Sequence, residues 1–227
     1  MKIDWENIPT IHAKRVSLRQ FAASDADAVY EIYADPAVMR YWGDSPLVNQ
    51  RGAKDFLVEA REDLRRRQCI QWGIARRSDN RLIGTIAFFK LDALARKAEI
   101  GFALGRNHWG MGYMQEALQA ALGYGFSELD FRRIEADVDP RNVSCIKLLE
   151  RLGFEKEGCL RERWLVDGET QDSLFYGLLK KEWNNTGAGY QVVSGLPRPK
   201  PAAISFRARL MDSRLGRWAA VMLGWLH

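Results

Sequence analysis

The sequence predicts an α/β protein of the α+β type, in which helices flank a mixed, mainly antiparallel sheet of six to seven strands. Three observations predict this class. Short apolar or alternating runs recur along the chain between turn residues, as strands require. Longer stretches with helical spacing of apolar residues separate several of these runs. Hydrophobic residues make up 47% of the 227 residues, enough for one domain with a full core.

The predicted elements follow in the order β-α-α-β-β-β-α-β-α-β-β. The predicted strands cover residues 15–21, 70–76, 81–91, 97–104, 133–138, 159–166 and 170–179. Ser24 and Asn49 are the predicted N-caps of the first two helices, since their side chains can accept from free backbone N–H groups. A turn region that holds Pro36 and Pro46 separates these helices.

Composition narrows the class of protein. The first nine residues are polar and acidic and do not resemble a signal peptide, and no apolar run approaches a membrane span. Cys69, Cys145 and Cys159 are scattered, without the spacing of a metal site. We therefore expect a cytoplasmic protein with no structural disulfide and no metal.

The chain is divided by composition into three parts. Residues 1–186 form the predicted domain, residues 187–202 a Gly- and Pro-rich linker, and residues 203–227 a basic amphipathic helix. The apolar stripe of that helix is Ile204, Ala208, Met211, Leu215, Trp218, Met222 and Trp225. The stripe favours docking on the domain or on a second copy in a homodimer, and a membrane-surface helix is the alternative.

The net charge of +5 lies in the last part of the chain. Residues 187–227 hold six basic residues and one acidic residue, so the charges of the remaining residues cancel. The main domain is accordingly not predicted to bind nucleic acid.

A glycine loop, residues 106–114, stands between a strand and a helix. Gly110 and Gly112 allow close backbone approach, and the first N–H groups of the helix have no internal partner. This arrangement suits a pyrophosphate. The loop lacks the third glycine of a dinucleotide-binding turn and the Gly-Lys-Ser/Thr of a Walker loop.

A second motif decides which ligand the loop suits. Asn142 follows the strand at 133–138 and is a good N-cap, and Gly153 is a good helix stop. Trp109-Gly110-x-Gly112-Tyr113, Glu116-Ala117, Asn142 and Leu152-Gly153-Phe154 together resemble the GNAT superfamily of N-acetyltransferases. The segment 35–43 resembles its RimJ/RimL-like branch, named for enzymes that acetylate ribosomal-protein N-termini. The resemblance covers roughly residues 12–183.

The resemblance implies a GNAT fold with acetyl-CoA as co-substrate. The residues it assigns to the coenzyme are Phe102, Ala103, Leu104, Trp109, Gly110, Met111, Gly112, Tyr113, Met114, Asn142 and Cys145. Backbone N–H groups of the loop would hold the pyrophosphate, and one near residues 102–104 would polarise the thioester carbonyl. Asn107 stands where the family usually has Gln or Arg, so no side-chain role is assigned there.

The catalytic residues implied are Glu99 and Cys145. Glu99 lies on the fourth predicted strand, where related enzymes often carry a glutamate that acts as base through water; Asp137 and Glu135 are alternatives. Cys145 stands where RimL-like members have a serine, and Leu149 replaces the tyrosine of many other members. The thiol is a candidate acid, with coenzyme contact alone or proton delivery by water as alternatives.

The acceptor pocket carries the weakest sequence signal. Tyr41, Trp42 and Trp164 are candidate lining residues, and Asp44 or Glu162 could hold a positive amine. We expect acetyl transfer to a primary amine, a protein or peptide N-terminus. The alternatives are a small amine, such as a polyamine, an amino acid or an antibiotic, and a non-catalytic acyl-CoA binding module.

Overall fold

A computed structural model describes residues 5–166, 168–183 and 189–193. Its strands are β1 Thr10–His12, β2 Val16–Arg19, β3 Cys69–Arg76, β4 Leu82–Asp92, β5 Lys97–Leu104, β6 Arg133–Val138, β7 Glu155–Val166, β8 Glu169–Leu179 and β9 Gln191–Val193. Its α-helices are α1 Ala26–Tyr33, α2 Pro36–Met39, α3 Gln50–Arg65, α4 Tyr113–Ser127 and α5 Val143–Arg151. Within the described residues, none of the helices is long and apolar enough to cross a membrane.

All of these strands form one sheet, in the order β7-β8-β6-β5-β4-β3-β2-β1-β9. Neighbouring strands are antiparallel except for the central pair β5 and β6, which is parallel. The ladder between β5 and β6 is short, and its last pair is Glu99 with Glu135. Beyond that pair the two strands part, and this opening positions the site.

Helices cover both faces of the sheet because the strands alternate apolar side chains between two clusters. Ile100 of β5 and Ala136 of β6 belong to the larger cluster, which the apolar faces of α4 and α5 complete. Ala103 of β5 packs on the opposite face with Tyr33 of α1 and Phe56 of α3. Alternate residues of β5 thus point to opposite layers, as a strand requires.

The predicted mixed, mainly antiparallel sheet is confirmed, but it has nine strands rather than six or seven. β1 was not predicted, since in a three-residue strand only Ile11 is fully buried and no alternation can be read. The predicted turn region after α1 contains the short helix α2. Asp35 caps α2 by accepting from the N–H of Ala37, and Pro36 stands at its first position.

The prediction that Ser24 is the N-cap of the first helix is wrong, since α1 begins after Asp25. Asp25, rather than Ser24, accepts the backbone N–H of Ala22, and its carboxylate is bound by both terminal nitrogens of Arg19. Asn49 caps α3 as predicted, through the N–H groups of Arg51 and Gly52.

The segment predicted to be a linker contributes the other unpredicted strand. Residues 191–193 pair with β1 as β9, and Tyr190 packs against Gly123 of α4, where a Cβ would lie 2.4 Å from the tyrosine ring. The rest of that segment, apart from residues 189–190, and the helix predicted at 203–227 lie outside the described residues.

Candidate active site

A cavity of about 540 Å³ opens where β5 and β6 part. Residues 100–104 of β5 and 136–139 at the end of β6 form two of its walls. The glycine loop, α2 with the residues after it, and α5 complete the lining. The site therefore lies at the point where the central ladder stops.

The backbone of β5 presents peptide groups to this gap. A Cβ on Gly84 of β4 would come within 2.5 Å of the carbonyl oxygen of Ala103, so the peptide groups of Ala103 face β4. Since the N–H and C=O groups of successive strand residues alternate in direction, those of Phe102 and Leu104 face the cavity side. Trp109 Nε1 donates to the Leu104 carbonyl at 2.7 Å and ties the glycine loop to this strand end.

The glycine loop has the conformation that its glycines predict. Gly110 and Gly112 lie at φ +73° and +77°, in the left-handed region. Apart from its chain neighbours, no heavy atom of the described residues lies within 4 Å of a Cβ built on Gly110, so a ligand can approach its backbone closely. Gly112 is the N-cap of α4, and the free N–H groups of the first turn suit an anion.

Arg15 and Glu116 hold the loop in place, and the sequence did not predict the contribution of Arg15. The guanidinium of Arg15 donates from Nε to Glu116 Oε2 at 2.8 Å and from Nη1 to the Met111 carbonyl at 2.9 Å. It also lies 4.8 Å from the ring centroid of Tyr113. No sequence motif connects positions so far apart in the chain.

Cys145 lines the cavity at the start of α5. The Asn142 side chain caps this helix by accepting the N–H of Cys145 at 3.1 Å. Burial raises the pKa of the Cys145 thiol to about 12. The thiol is therefore protonated at neutral pH, but proton transfer to a thiolate of ordinary pKa, about 8.5, is uphill.

Glu99 lies behind the cavity wall. Its side chain is 4% exposed, and Lys90 Nζ lies 2.5 Å from its Oε2. Lys90 occupies an irregularity in β4 and has a φ of +49°, which places its ammonium group beside Glu99. Burial raises the pKa of Glu99, an effect that Lys90 opposes and the charges of Asp137 and Glu135 reinforce.

Aromatic residues form the end of the cavity opposite α4. Tyr41 and Trp42 follow α2, and Trp164 lies on β7 with 9% of its surface exposed. The ring of Trp42 packs edge-on against Tyr33 of α1, with centroids 5.8 Å apart. Asp44 and Glu162, the predicted amine-holding acids, do not line the cavity.

The cavity brings most of the predicted site residues together. The predicted residues that line it are Tyr41, Trp42, Phe102, Ala103, Leu104, Trp109, Gly110, Gly112, Met114, Asn142, Cys145 and Trp164. Glu99, Met111 and Tyr113 do not line it.

His108, Asp139 and Arg151 are among the polar lining residues that were not predicted as ligand contacts. His108 lies edge-on to Tyr113, and its pKa is lowered by burial and by the charges of Arg76 and Arg81. Asp139 is paired with Arg141, and Arg151 donates to Gln115 of α4 at 3.2 Å. Asp139 thus lies directly after β6, and Arg151 lies toward the glycine loop.

Comparison with known proteins agrees with this geometry. The family described as Acetyltransferase (GNAT) domain matches residues 15–155. The chain belongs to the GNAT family. It is 37% identical to the N-acetyltransferase p20 of Bacillus licheniformis over 174 residues, which covers 77% of this chain and 98% of p20. A GNAT-family acetyltransferase from Bacillus anthracis has the same fold, with a TM-score of 0.70, 28% identity and coverage of 76% of this chain and 99% of that structure.

Two more distant relatives have named activities. RimJ of Mycobacterium smegmatis, solved with CoA-disulfide, shares the fold with a TM-score of 0.67 and 23% identity over 77% of this chain and 90% of RimJ. The spermidine N(1)-acetyltransferase of Escherichia coli is 24% identical over 167 residues, 74% of this chain and 86% of that enzyme.

Proposed function

We propose that this GNAT enzyme transfers acetyl from acetyl-CoA to the primary amine of a protein or peptide N-terminus, in the cavity between β5 and β6. The observation that carries the proposal is the parting of the central strands. It opens one cavity between a glycine loop suited to pyrophosphate and a wall of aromatic and acidic side chains. Both reactants could therefore meet at the exposed backbone of β5.

The residues of the glycine loop fit the coenzyme. Gly110 leaves open space beside its backbone, and the first-turn N–H groups of α4 are available to a pyrophosphate. Arg15 adds a positive charge beside Gly112, whose added Cβ would lie 3.2 Å from Arg15 Nη2. When bound, acetyl-CoA supplies the activated acetyl group as a thioester.

The β5 backbone is the proposed carbonyl-binding group. The N–H groups of Phe102 and Leu104 point to the cavity side, as argued from the direction of the Ala103 carbonyl. A fixed donor at the position where an oxyanion develops commonly contributes about 10²–10³-fold to the rate.

The acceptor end suits a positively charged amine beside an apolar group. Asp137 and Asp139 line the cavity with Trp164, and Tyr41 and Trp42, which follow α2, line it as well. Acidic side chains attract the ammonium group, and aromatic faces can bind both cations and apolar side chains. The RimJ/RimL-like motifs favour a peptide N-terminus, and the likeness to a spermidine acetyltransferase keeps a polyamine as the second candidate.

The proton transfers use the buried polar groups near the cavity. Glu99 is proposed to take part in removing the proton from the acceptor amine. Because it does not line the cavity, it acts through an intervening group. Cys145 is proposed as a coenzyme contact, since its raised pKa makes it a poor donor to the leaving sulfur. Water is then the proton source for that sulfur.

An acceptor screen tests the proposal. Purified full-length protein is incubated with acetyl-CoA and libraries of peptides and small amines, and products are identified by mass spectrometry while free thiol is measured. We expect equal amounts of free CoA and acetylated peptide N-terminus. Acetylation confined to polyamines would select the second candidate. Binding of acetyl-CoA without turnover on any amine would indicate a non-catalytic module.

A further inference from the structure

A second buried carboxylate faces the cavity directly. The side chain of Asp137 is 3% exposed, yet the residue lines the cavity. Its Oδ1 accepts a hydrogen bond from the Ser173 hydroxyl. Its Oδ2 is also buried; it has no hydrogen-bond partner among the described residues and lies 3.5 Å from Arg163 Nε. One oxygen is therefore fixed by a hydrogen bond, while the other has only this long contact with Arg163, so an ammonium group beside it would complete its hydrogen bonding.

Glu99 lies on the same face of the sheet but is engaged by protein. The pair Glu99–Glu135 closes the β5–β6 ladder, and Asp137 follows two residues later, where the strands have parted. Lys90 binds one oxygen of Glu99, and the other oxygen has no hydrogen-bond partner among the described residues, but Glu99 is not part of the lining. A ligand in the cavity consequently meets Asp137 and not Glu99.

We infer that Asp137 accepts the proton from the ammonium group of the acceptor, and that Glu99 and Ser173 position and tune it. This inference rests on the proposed acetyl transfer and assigns the group that touches the amine. Asp137 would be the catalytic residue. Glu99 and Ser173 are positioning residues, since neither is argued to touch a reactant.

The proton and electron balance is simple. The ammonium nitrogen gives one proton to Asp137 Oδ2, and its freed electron pair forms the C–N bond to the thioester carbonyl carbon. The C–S bond breaks, and the sulfur keeps that electron pair. The nitrogen loses its second proton, which reaches the sulfur through water. Asp137 then releases its proton to solvent, so the net products are the amide, CoA thiol and one proton.

The charged groups that face Asp137 come from four strands. They are Lys90 on β4, Glu99 on β5, Glu135 on β6 and Arg163 on β7. Burial raises the pKa of Asp137, and the hydrogen bond from Ser173 and the charges of Arg163 and Lys90 lower it. A base with a raised pKa matches an amine better at neutral pH than an ordinary aspartate does.

The Asp137→Asn variant tests the assignment. We expect kcat/KM to fall by about 10²–10⁴-fold, the usual contribution of a positioned base. The acidic limb of its pH profile should disappear, because no carboxylate remains to be protonated there. The affinity for acetyl-CoA, measured by calorimetry, should stay within a few-fold and so show that the variant is folded. Full activity in the folded variant would overturn the inference.

The two positioning residues should move the acidic limb in opposite directions. Glu99→Gln removes a negative charge and leaves Lys90, so the pKa of Asp137 should fall and the limb should move to lower pH. Ser173→Ala removes a hydrogen bond to the ionised form, so the limb should move to higher pH. Loss of the limb in Glu99→Gln, with only a shift in Asp137→Asn, would make Glu99 the base and refute the role of Asp137.

Glu135→Gln is the matched control. Glu135 lies on the same strand and face as Asp137, but it is bound by Lys97 and Arg133 and does not line the cavity. We expect the acidic limb to persist in Glu135→Gln, moved slightly to lower pH by the loss of one negative charge, and kcat/KM above the limb to stay nearly unchanged. Failure of the proposed function would appear as no turnover by the unmodified protein with any amine. Failure of this inference would appear as turnover that survives Asp137→Asn.

Discussion

At the residue scale, Gly112 carries the coenzyme assignment because its backbone must be both left-handed and exposed. In Gly112→Ala, the added Cβ would lie 3.2 Å from Arg15 Nη2, at a φ of +77°. A left-handed backbone costs a residue with a Cβ about 1–2 kcal/mol. We expect acetyl-CoA binding to weaken at least about tenfold, a change of about 1.4 kcal/mol, in titration calorimetry.

Gly153→Ala separates strain from lost binding. Gly153 has a φ of +91° at the end of α5, and among the described residues its added Cβ would meet Leu178, at an ordinary contact distance of 3.7 Å. Both variants should lose similar stability in chemical denaturation, and only Gly112→Ala should lose coenzyme affinity. Equal affinity in the two folded variants would contradict the phosphate-loop assignment.

The thiol of Cys145 gives a second prediction at this scale. Since its raised pKa disfavours donation, Cys145→Ala should keep kcat and raise the KM for acetyl-CoA by about fivefold, the loss of roughly 1 kcal/mol of buried contact. Steady-state kinetics check this. A large loss of kcat in Cys145→Ala that Cys145→Ser restores would instead establish an acid role.

At the scale of elements, sequence patterns predicted the strands and helices that surround the site. The bounds 97–104 and 133–138 agree with β5 and β6, because β5 is mostly apolar and β6 alternates charged with apolar residues. β1, β9 and α2 were missed, since three or four residues are too few for a period to show. Their positions depend on pairing and packing with distant segments.

The pairing of β9 with β1 yields a prediction about truncation. Deleting residues 194–227 should leave the affinity for acetyl-CoA unchanged, because the coenzyme motifs and the cavity lining of the described residues lie between residues 37 and 171. Deleting residues 187–227 should also remove β9 and Tyr190, uncover Gly123 and expose the edge of β1. We expect it to lower the free energy of unfolding by about 1–3 kcal/mol relative to the shorter deletion.

Denaturation and light scattering measure these effects. Tyr190→Ala in the full chain is the matched control for the longer deletion, and it should reproduce part of the loss. Equal stability of the two truncated proteins would contradict a structural role for residues 189–193. A change of mass in solution on the shorter deletion would assign residues 194–227 to self-association.

At the scale of the whole molecule, the site is assembled from segments far apart in the sequence. The glycine loop and the Asn142 helix could be predicted because local backbone chemistry marks them. Local patterns could not predict that Asp137 lines the cavity or that Glu99 lies behind its wall. They also could not predict that Arg15 holds the glycine loop. These features depend on where β5 and β6 part and on how β2 meets α4, which no local pattern records.

The central claim is acetyl transfer to an amine in this cavity. The most direct measurement is the stoichiometry of free CoA and N-terminally acetylated peptide formed by the full-length protein, with Asp137→Asn and Gly112→Ala beside it. We expect equal amounts of both products from the unmodified protein. In Asp137→Asn we expect loss of both products with coenzyme binding retained. Release of CoA without acetylated amine, or equal turnover in all three proteins, would contradict it.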